Sequence, residues 1–482
     1  MGRGVLYGLI ARGLFILGAY VVHVYAGRVL QPERYGTLGV ILAILTLCAI
    51  FYSNGVREAV ARHIATAPQS GAVILAKGLQ VQLGIGLPLA GLLVLLAQDI
   101  AMLFQDPGLV LPLQLCAAVI VLQCLYYLYL GAINGQRRFL AESVVGIVYS
   151  VARPVAVVAL IALGYGVLGA VWGFVLASAV AAAVGYAMRG RLGHEPAEFK
   201  IRDVFAPATH NILVFGAITC LLNMDLLFVK GLLSQADAAG LYTAAVMFSK
   251  PPYWLMFSFG AVALPLVAAC YARGDVVQCR LYLSQVMRYS LLLVLPLAVI
   301  MAATAEPLLV FFYTQAYAEA HASLSILMLG GTLIGMLGIL AHVMIAIGRE
   351  RLMAVMAMMT AALDSLLNLL LIPPLGLLGA ALATSLSALA LLLACGIYLA
   401  RCLGLGVSPW SLLRIGAVSV LLFFASQVAV VAQMPLIVQY IVLYLGFAIA
   451  LLLVGEIGRA DWGVVKRLIH GKKPDETEAQ QL

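Results

Sequence analysis

The chain has 482 residues, is 64% hydrophobic and only 10% charged, and carries a formal net charge of +8. Soluble domains hold roughly 25% charged residues and about 45–50% apolar ones, so this composition excludes a soluble protein. Apolar runs of about 20 residues recur from end to end and describe an all-α, polytopic membrane protein.

In chain order, about fourteen runs reach spanning length. Their cores are 5–27, 36–54, 72–97, 108–130, 143–163, 166–187, 210–232, 240–270, 289–305, 322–347, 352–372, 376–399, 412–432 and 437–455. Arg12 interrupts the first run and no small-residue cleavage site follows it, so the run reads as a spanning helix rather than a removed signal peptide. The eight cysteines form no CxxC pair and the seven histidines no HxxxH spacing; the thiols read as reduced packing residues. No GxxxxGK[ST] loop is present, so the chain does not hydrolyse ATP.

The basic residues alternate. Arg57, Arg62, Arg137, Arg138, Arg189, Arg191, Lys200, Arg202, Arg273, Arg280, Arg349, Arg351, Arg401 and Arg414 fall in every second connection. Arg459, Lys466, Arg467, Lys472 and Lys473 follow in the tail, while the opposite loops hold little beyond Arg28 and Arg34. This asymmetry puts both termini in the cytoplasm. The link RLGHEPAEFKIRDVF (191–205) is predicted to lie as an interfacial helix, and DETEAQQL after Pro474 to be disordered.

Three echoes recur about 210 residues apart in the sequence. They are LQPERYGTLGV (30–40) with LSQADAAGLYTA (233–244), GQRRFLAESV (135–144) with GRERLMAVMA (348–357), and GVLGAVWGF (166–174) with GLLGAALAT (376–384). They keep the same order and orientation, which is the pattern of a parallel repeat of six spans, with a substrate site between the halves. The predicted organisation is an N-terminal lobe at 1–190, a cytoplasmic linker at 191–209, a C-terminal lobe at 210–400, two further spans at 401–455 and a cytoplasmic tail at 456–482.

The stretch RVLQPERYG (28–36) after the first span, and GVREAVAR (55–62) closing the second, resemble the signatures of Wzx-type polysaccharide flippases. These belong to the multidrug/oligosaccharidyl-lipid/polysaccharide superfamily. The resemblance implies two six-helix lobes facing each other across a cavity that opens alternately to either side of a bacterial inner membrane. It also implies a role in cell-surface polysaccharide biosynthesis such as O-antigen assembly, beside other membrane proteins of that assembly.

Charges inside spans are functional candidates, because each costs at least about 2.5–3.5 kcal/mol on insertion scales. Asp225 and Lys230 stand five residues apart in LLNMDLLFVK, about 140° around a helix, so they cannot pair with each other. Lys230 is predicted to snorkel to the outer end. Asp225 has candidate companions in Asp364 and Asn368, one turn apart in LDSLLNLLL, and in Thr384; such oxygens suit Na⁺, and a carboxylate alone can carry a proton. Some lipid II flippases of the superfamily hold Na⁺ among these three helices, and that resemblance implies the set Asp225, Asp364, Asn368, Thr384 and the Ala380 carbonyl. Here the acid precedes the amide on the eleventh span, the reverse of that pattern. The alternative is a hydrogen-bonded polar cluster that ties helices together.

Among the cations, Arg153 lies about 15 Å into its span, near mid-membrane, and precedes Pro154. Lys250 is similarly deep, ahead of Pro251 and Pro252, which are expected to break or kink the helix. Arg12 is about 9 Å deep, and Arg57 stands at the inner end of the second span. Irregular backbone at this depth is tolerated only against protein or a water-filled cavity, so Arg12, Arg57, Arg153 and Lys250 are expected to line a hydrated cationic chamber. Ordinary readings are snorkelling for Arg12, an inside-positive charge for Arg57, and an ion pair with Asp225 or Glu142 for Arg153 and Lys250.

A cationic wet chamber suits a polyprenyl-diphosphate-linked oligosaccharide. Arg and Lys recognise its diphosphate, its sugars need polar partners, and its tail can stay in lipid. Energy would come from Na⁺ or H⁺, the membrane potential, or consumption of product. The rivals are a lipid II flippase, a multidrug or cation antiporter, and a membrane glycan polymerase or ligase; the last would need a large outer loop that the sequence lacks. No feature calls for nucleic acid.

Overall fold

A computed structural model describes residues 2–53, 55–195, 212–404, 409–428, 431 and 433–456. Among the described residues there are helices and no strand, as an open chain in lipid requires: each backbone N–H and C=O must be bonded within its own segment. Eleven stretches are long and apolar enough to span, and Trp410–Ser426 is a shorter apolar helix. Two of the eleven, Ile10–Thr66 and Phe139–Met188, have 57 and 50 residues. Straight, they would reach about 85 and 75 Å, more than twice the about 30 Å of hydrocarbon. Each is therefore two crossings, which brings the described crossings to thirteen, or fourteen with the shorter apolar helix.

The first pair is α1 (Gly2–Tyr52), which turns at Gln31 (φ 62°, ψ 166°) ahead of Pro32. His23 Nδ1 lies 2.9 Å from Tyr35 Oη although the residues are 12 apart, about 18 Å along a straight helix, so the chain has doubled back. Then come α2 (Gly55–Thr66), α3 (Gly71–Leu103), α4 (Val110–Gly135), α5 (Phe139–Leu160) and α6 (Gly166–Met188). Beyond them lies α7 (Ile212–Leu232), broken by a turn at Leu222–Asn223. The remaining helices are α8 (Ala238–Ala272), α9 (Val276–Ala303), α10 (Ala305–Phe312), α11 (His321–Ala346), α12 (Glu350–Leu375), α13 (Leu377–Leu403), α14 (Pro409–Ser426) and α15 (Leu436–Leu453).

The repeat is visible in backbone angles. Gly166 (φ 58°, ψ −138°) opens α6, and Gly376 (φ 60°, ψ −134°) opens α13. L side chains rarely adopt such angles. Three residues on, Gly169 and Gly379 lie against the carbonyls of Leu160 and Leu371 on the preceding helices, so both hairpins need a missing Cβ to close. The echo at 135–144 shifts register by two residues. Arg137 (φ 58°), not Gly135, occupies the left-handed place that Gly348 (φ 72°) fills in the second half. Both turns close with the same 6→1 bond, Arg138 N to Ile133 O and Arg349 N to Met344 O, the Schellman ending.

The first echo lies on the pseudo-two-fold axis. Gly36 on α1 faces its own counterpart, Gly240 on α8: a Cβ on Gly36 would sit 2.6 Å from the Gly240 nitrogen, and one on Gly240 would strike the Pro32 carbonyl. The two halves thus meet backbone to backbone. Around this crossing one apolar cluster runs through both halves, from Val22, Tyr35 and Val119 to Tyr242, Tyr313 and Leu324. At the end carrying Arg57, Arg137 and Arg349, the core splits. Val56, Ile74 and Leu128 cluster in one half, whereas Ile218, Val267 and Leu340 cluster in the other, joined there by Val418 of α14 and Phe447 of α15. The halves share one apolar core at the crossing and have separate cores at the basic end.

Two expectations change. The Pro251–Pro252 pair does not break α8, which runs uninterrupted from Ala238 to Ala272. Pro251 cannot donate to the Met247 carbonyl four residues back; Tyr20 Oη donates to that oxygen instead, at 3.3 Å. Of the predicted interfacial segment, 191–195 has no regular structure and the rest lies outside the described residues, as does the tail beyond 456.

Replacing Gly240 by Ala should oppose closure at the crossing by about 1–3 kcal/mol, the usual range for overpacking. A lower melting temperature in detergent is the expected outcome. Gly396→Ala, with nothing within 4 Å of the added methyl, should leave it unchanged.

Candidate binding cavity and buried acid cluster

Directly beneath the crossing lies a cavity of about 80 Å³ between the halves. Its lining includes His23 and Thr46 of α1, Asn223 of α7, and Thr243 and Lys250 of α8. Lys250 is deep in the molecule but keeps part of its surface because it faces this space. Among the described residues it has no acid within ion-pair distance; Asp225 acts on it only through its charge. A charge without a partner in such a place must be held by water or by an anion.

Arg153 is 7% exposed. Its guanidinium stacks on Phe15 of α1, 4.4 Å from the ring centroid, and on Tyr149, at 5.6 Å. One Nη donates to the Phe15 carbonyl at 3.0 Å, and Nε has no partner. Cation–π contact of this kind is worth about 2 kcal/mol or more when desolvated. Arg153 therefore sits between helices of the first half, while its charge and that of Lys250 both reach His23.

The other two cations are placed apart. Arg57 pairs with Glu142 at 2.7 Å, and Glu142 also accepts from Asn134 at 2.7 Å, which joins α2, α4 and α5 at the basic end. Arg12 is exposed on α1, and its charge reaches Tyr253 of α8. Lys230 does not snorkel. It pairs with Asp106, between α3 and α4, at 2.9 Å, with 11% of its side chain exposed; Thr37 donates to the same carboxylate oxygen at 2.7 Å. This bond crosses the halves at the end opposite the basic one, as do Arg28 Nε to the Phe312 carbonyl at 2.7 Å and Tyr35 Oη to Tyr313 Oη at 3.0 Å.

On the far side of the α7 break, the sequence-predicted acids come together. Asp225 is 1% exposed and accepts from Leu226 N at 2.8 Å, Tyr242 Oη at 2.7 Å and Thr384 Oγ1 at 3.3 Å. Asn368 Nδ2 donates to Asp364 Oδ2 at 3.1 Å, and the charges of Asp225 and Asp364 act on each other. Ala380, one turn before Thr384, is fully buried. The Ser387 hydroxyl stands beside the Asp364 carboxyl, and Asn368 Oδ1 is buried with no hydrogen-bond partner among the described residues. An unpartnered oxygen of this kind calls for water or an ion. Two carboxylates in a dry site repel each other unless a cation or a proton offsets them. The donor set is oxygen throughout, which suits a hard cation such as Na⁺.

Four contributors were missed in the sequence. His23, lone in AYVVHVYAG, and Asn223, two residues before Asp225, are polar groups at membrane depth, which is itself a signal. Ser387 is three residues beyond Thr384 and shares its face. Tyr242 gave no signal apart from its place in the echo at 233–244.

The profile of the polysaccharide biosynthesis protein family matches residues 26–322, more than half of the chain. The chain belongs to that family. The match contains both flippase-like motifs, so the Wzx-type resemblance read from them is borne out. In fold, this polysaccharide biosynthesis protein is similar to an inward-closed structure of the lipid II flippase MurJ. The TM-score is 0.74 at 16% identity, over 93% of this chain and 98% of that one. An inward-facing multidrug resistance MATE family transporter of the MOP superfamily gives 0.66 at 15% identity, over 84% and 95%. An uncharacterized membrane protein of Methanocaldococcus jannaschii, MJ1068, is 26% identical over 187 residues, which span 38% of this chain and 36% of that protein. The fold is thereby shared with these two transporters: all-α, with many spans.

Burial raises the Asp106 carboxyl, but the bonds from Lys230, Thr37 and Gly108 and the charge of Lys230 more than offset it, leaving it below its usual value. A lowered carboxyl stabilises the folded form above its unfolded value, and that contribution fades as pH falls through the lowered one. The cross-half bond should therefore persist from neutral pH to below the ordinary carboxylate range. Asp106→Asn should expose cysteines placed at the end opposite the basic one to water-borne thiol reagents at neutral pH, and acidification of the unmodified protein to pH 5 should not.

Proposed function

We propose that this protein is a flippase for a polyprenyl-diphosphate-linked oligosaccharide, carrying it from the cytoplasmic to the outer leaflet by alternating access. The observation that supports this most is Lys250, with no acid in ion-pair distance among the described residues, facing a cavity between two halves that share a core at the crossing and have separate cores at the basic end. Amino groups hold phosphate as point charges. Moving sugar hydroxyls through hydrocarbon would cost several kcal/mol for each unpaired group, so the sugars must pass through a polar interior while the tail stays in lipid. By the positive-inside rule the basic end is cytoplasmic, as are both termini.

In the same reading, Na⁺ or H⁺ at the acid cluster drives the cycle. Asp225, Asp364, Asn368, Thr384 and Ser387 are the side chains that would hold a cation, which would supply positive charge between the two carboxylates. The α7 break places Asn223 in the cavity and Asp225 in the cluster two residues later, so both sites share one irregular segment. A drug antiporter reading fits less well, since cationic drugs would be repelled by Lys250, the cation that lines the cavity.

Purified protein in vesicles with a fluorescent polyprenyl-diphosphate glycan tests the reading. Lys250→Met combined with Arg153→Gln should lower flipping at least about tenfold, equivalent to about 1.4 kcal/mol, in protein that still inserts; full activity would refute it. Asp225→Asn should abolish the dependence on the Na⁺ and pH gradients, and unchanged dependence would exclude coupling at this cluster.

A further inference from the structure

A second cavity of about 470 Å³ lies between the halves on the basic side of the Lys250 cavity, and the two share Thr46 in their linings. Building on the flippase reading, we propose that this larger cavity is a sugar subsite that holds rings of the cargo glycan against an aromatic wall. Its size falls within the about 300–1,000 Å³ usual for small-ligand pockets.

Aromatic rings dominate the wall from the second half, beside Thr219, and the wall from the first half mixes polar groups with Ala49 and Ile50. The second half contributes Phe215, Tyr253, Phe257 and His342. Ring centroids are 5.6 Å apart for Phe215 and Phe257, 5.7 Å for Tyr253 and Phe257, and 4.9 Å for Phe257 and His342, so the wall is one rigid cluster. Phe215, Tyr253 and Phe257 keep partly accessible surface towards the cavity instead of being packed away. The first half contributes Ser53, Glu58 and Tyr127. These supply a carboxylate and hydroxyls.

A pyranose has the same two aspects: a C–H face, weakly positive, that the negative face of an aromatic ring attracts, and a rim of hydroxyls that must be hydrogen-bonded when removed from water. Neither rival occupant matches both walls. An apolar molecule would strand the carboxylate and hydroxyls, and phosphate would meet Glu58, which has no ion pair among the described residues. The phosphates therefore belong with Lys250, and the sugars with Phe257 and Glu58. The two cavities adjoin at Thr46, so a ligand with its phosphates at Lys250 would bring its sugars to this wall.

Affinity of the full chain for three probe sets, in detergent by thermophoresis, tests this. The probes are undecaprenyl diphosphate bare, the same lipid bearing N-acetylglucosamine, and the same lipid bearing galactose. The unmodified protein should bind bare lipid and gain at least about fivefold from one of the sugars. Phe257→Ala and Tyr253→Ala should erase that gain and leave bare-lipid affinity within about twofold, and Phe257→Trp should restore it. Lys250→Met should weaken all three probes equally. The subsite is overturned if neither sugar adds affinity, or if the gain survives in both alanine variants. Failure of the unmodified protein to bind even bare lipid overturns the flippase reading itself, and the subsite with it.

Discussion

A lysine held inside a membrane protein with no acid in ion-pair distance among the described residues is the constraint on which this structure turns. A lone ammonium keeps its charge in such an interior only with water or an anion at hand, and the cavity beneath the crossing supplies the room. That room exists because the halves meet as bare backbone at Gly36 and Gly240 and have separate cores below. Close approach above and space below are two consequences of one crossing.

The acid cluster is the complement of this arrangement. Asp225 and Asp364 are buried together among hydroxyl and amide groups, where Asn368 Oδ1 has no partner among the described residues, and Lys250 stands near enough to feel one of the acids without pairing. Opposite charges are thus kept apart by the broken segment of α7. If they collapsed into one salt bridge, neither site would have a charge left for a ligand. The ion pairs that do form serve the framework instead. Arg57 with Glu142 fastens the first half, Lys230 with Asp106 joins the halves at the end opposite the basic one, and Arg288 with Glu456, at 2.9 Å, fastens the end of α15 to α9.

Much of this was legible in the sequence because membranes make polar residues informative. The spans, the duplication at Gly166 and Gly376, and the candidate grouping of Asp225, Asp364, Asn368 and Thr384 follow from apolar length, echoed motifs and the rarity of polar groups in lipid. Contacts between distant segments were not legible. Nothing local links Lys230 to Asp106, 124 residues away, or sets Arg153 between Phe15 and Tyr149. Helical period shows which face is polar but not which helix it meets. The Pro251–Pro252 pair misled for a related reason: the freed Met247 carbonyl found Tyr20 on another helix, and α8 stayed whole.

The central claim is that water reaches Lys250 from the basic end. Its most direct test places a single cysteine at position 250 in a chain cleared of its eight native cysteines, and treats oriented vesicles with a membrane-impermeant thiol reagent from each side. The account predicts labelling from the basic side, slowed by added undecaprenyl diphosphate. No labelling from either side would mean that the site is dry, and would contradict it.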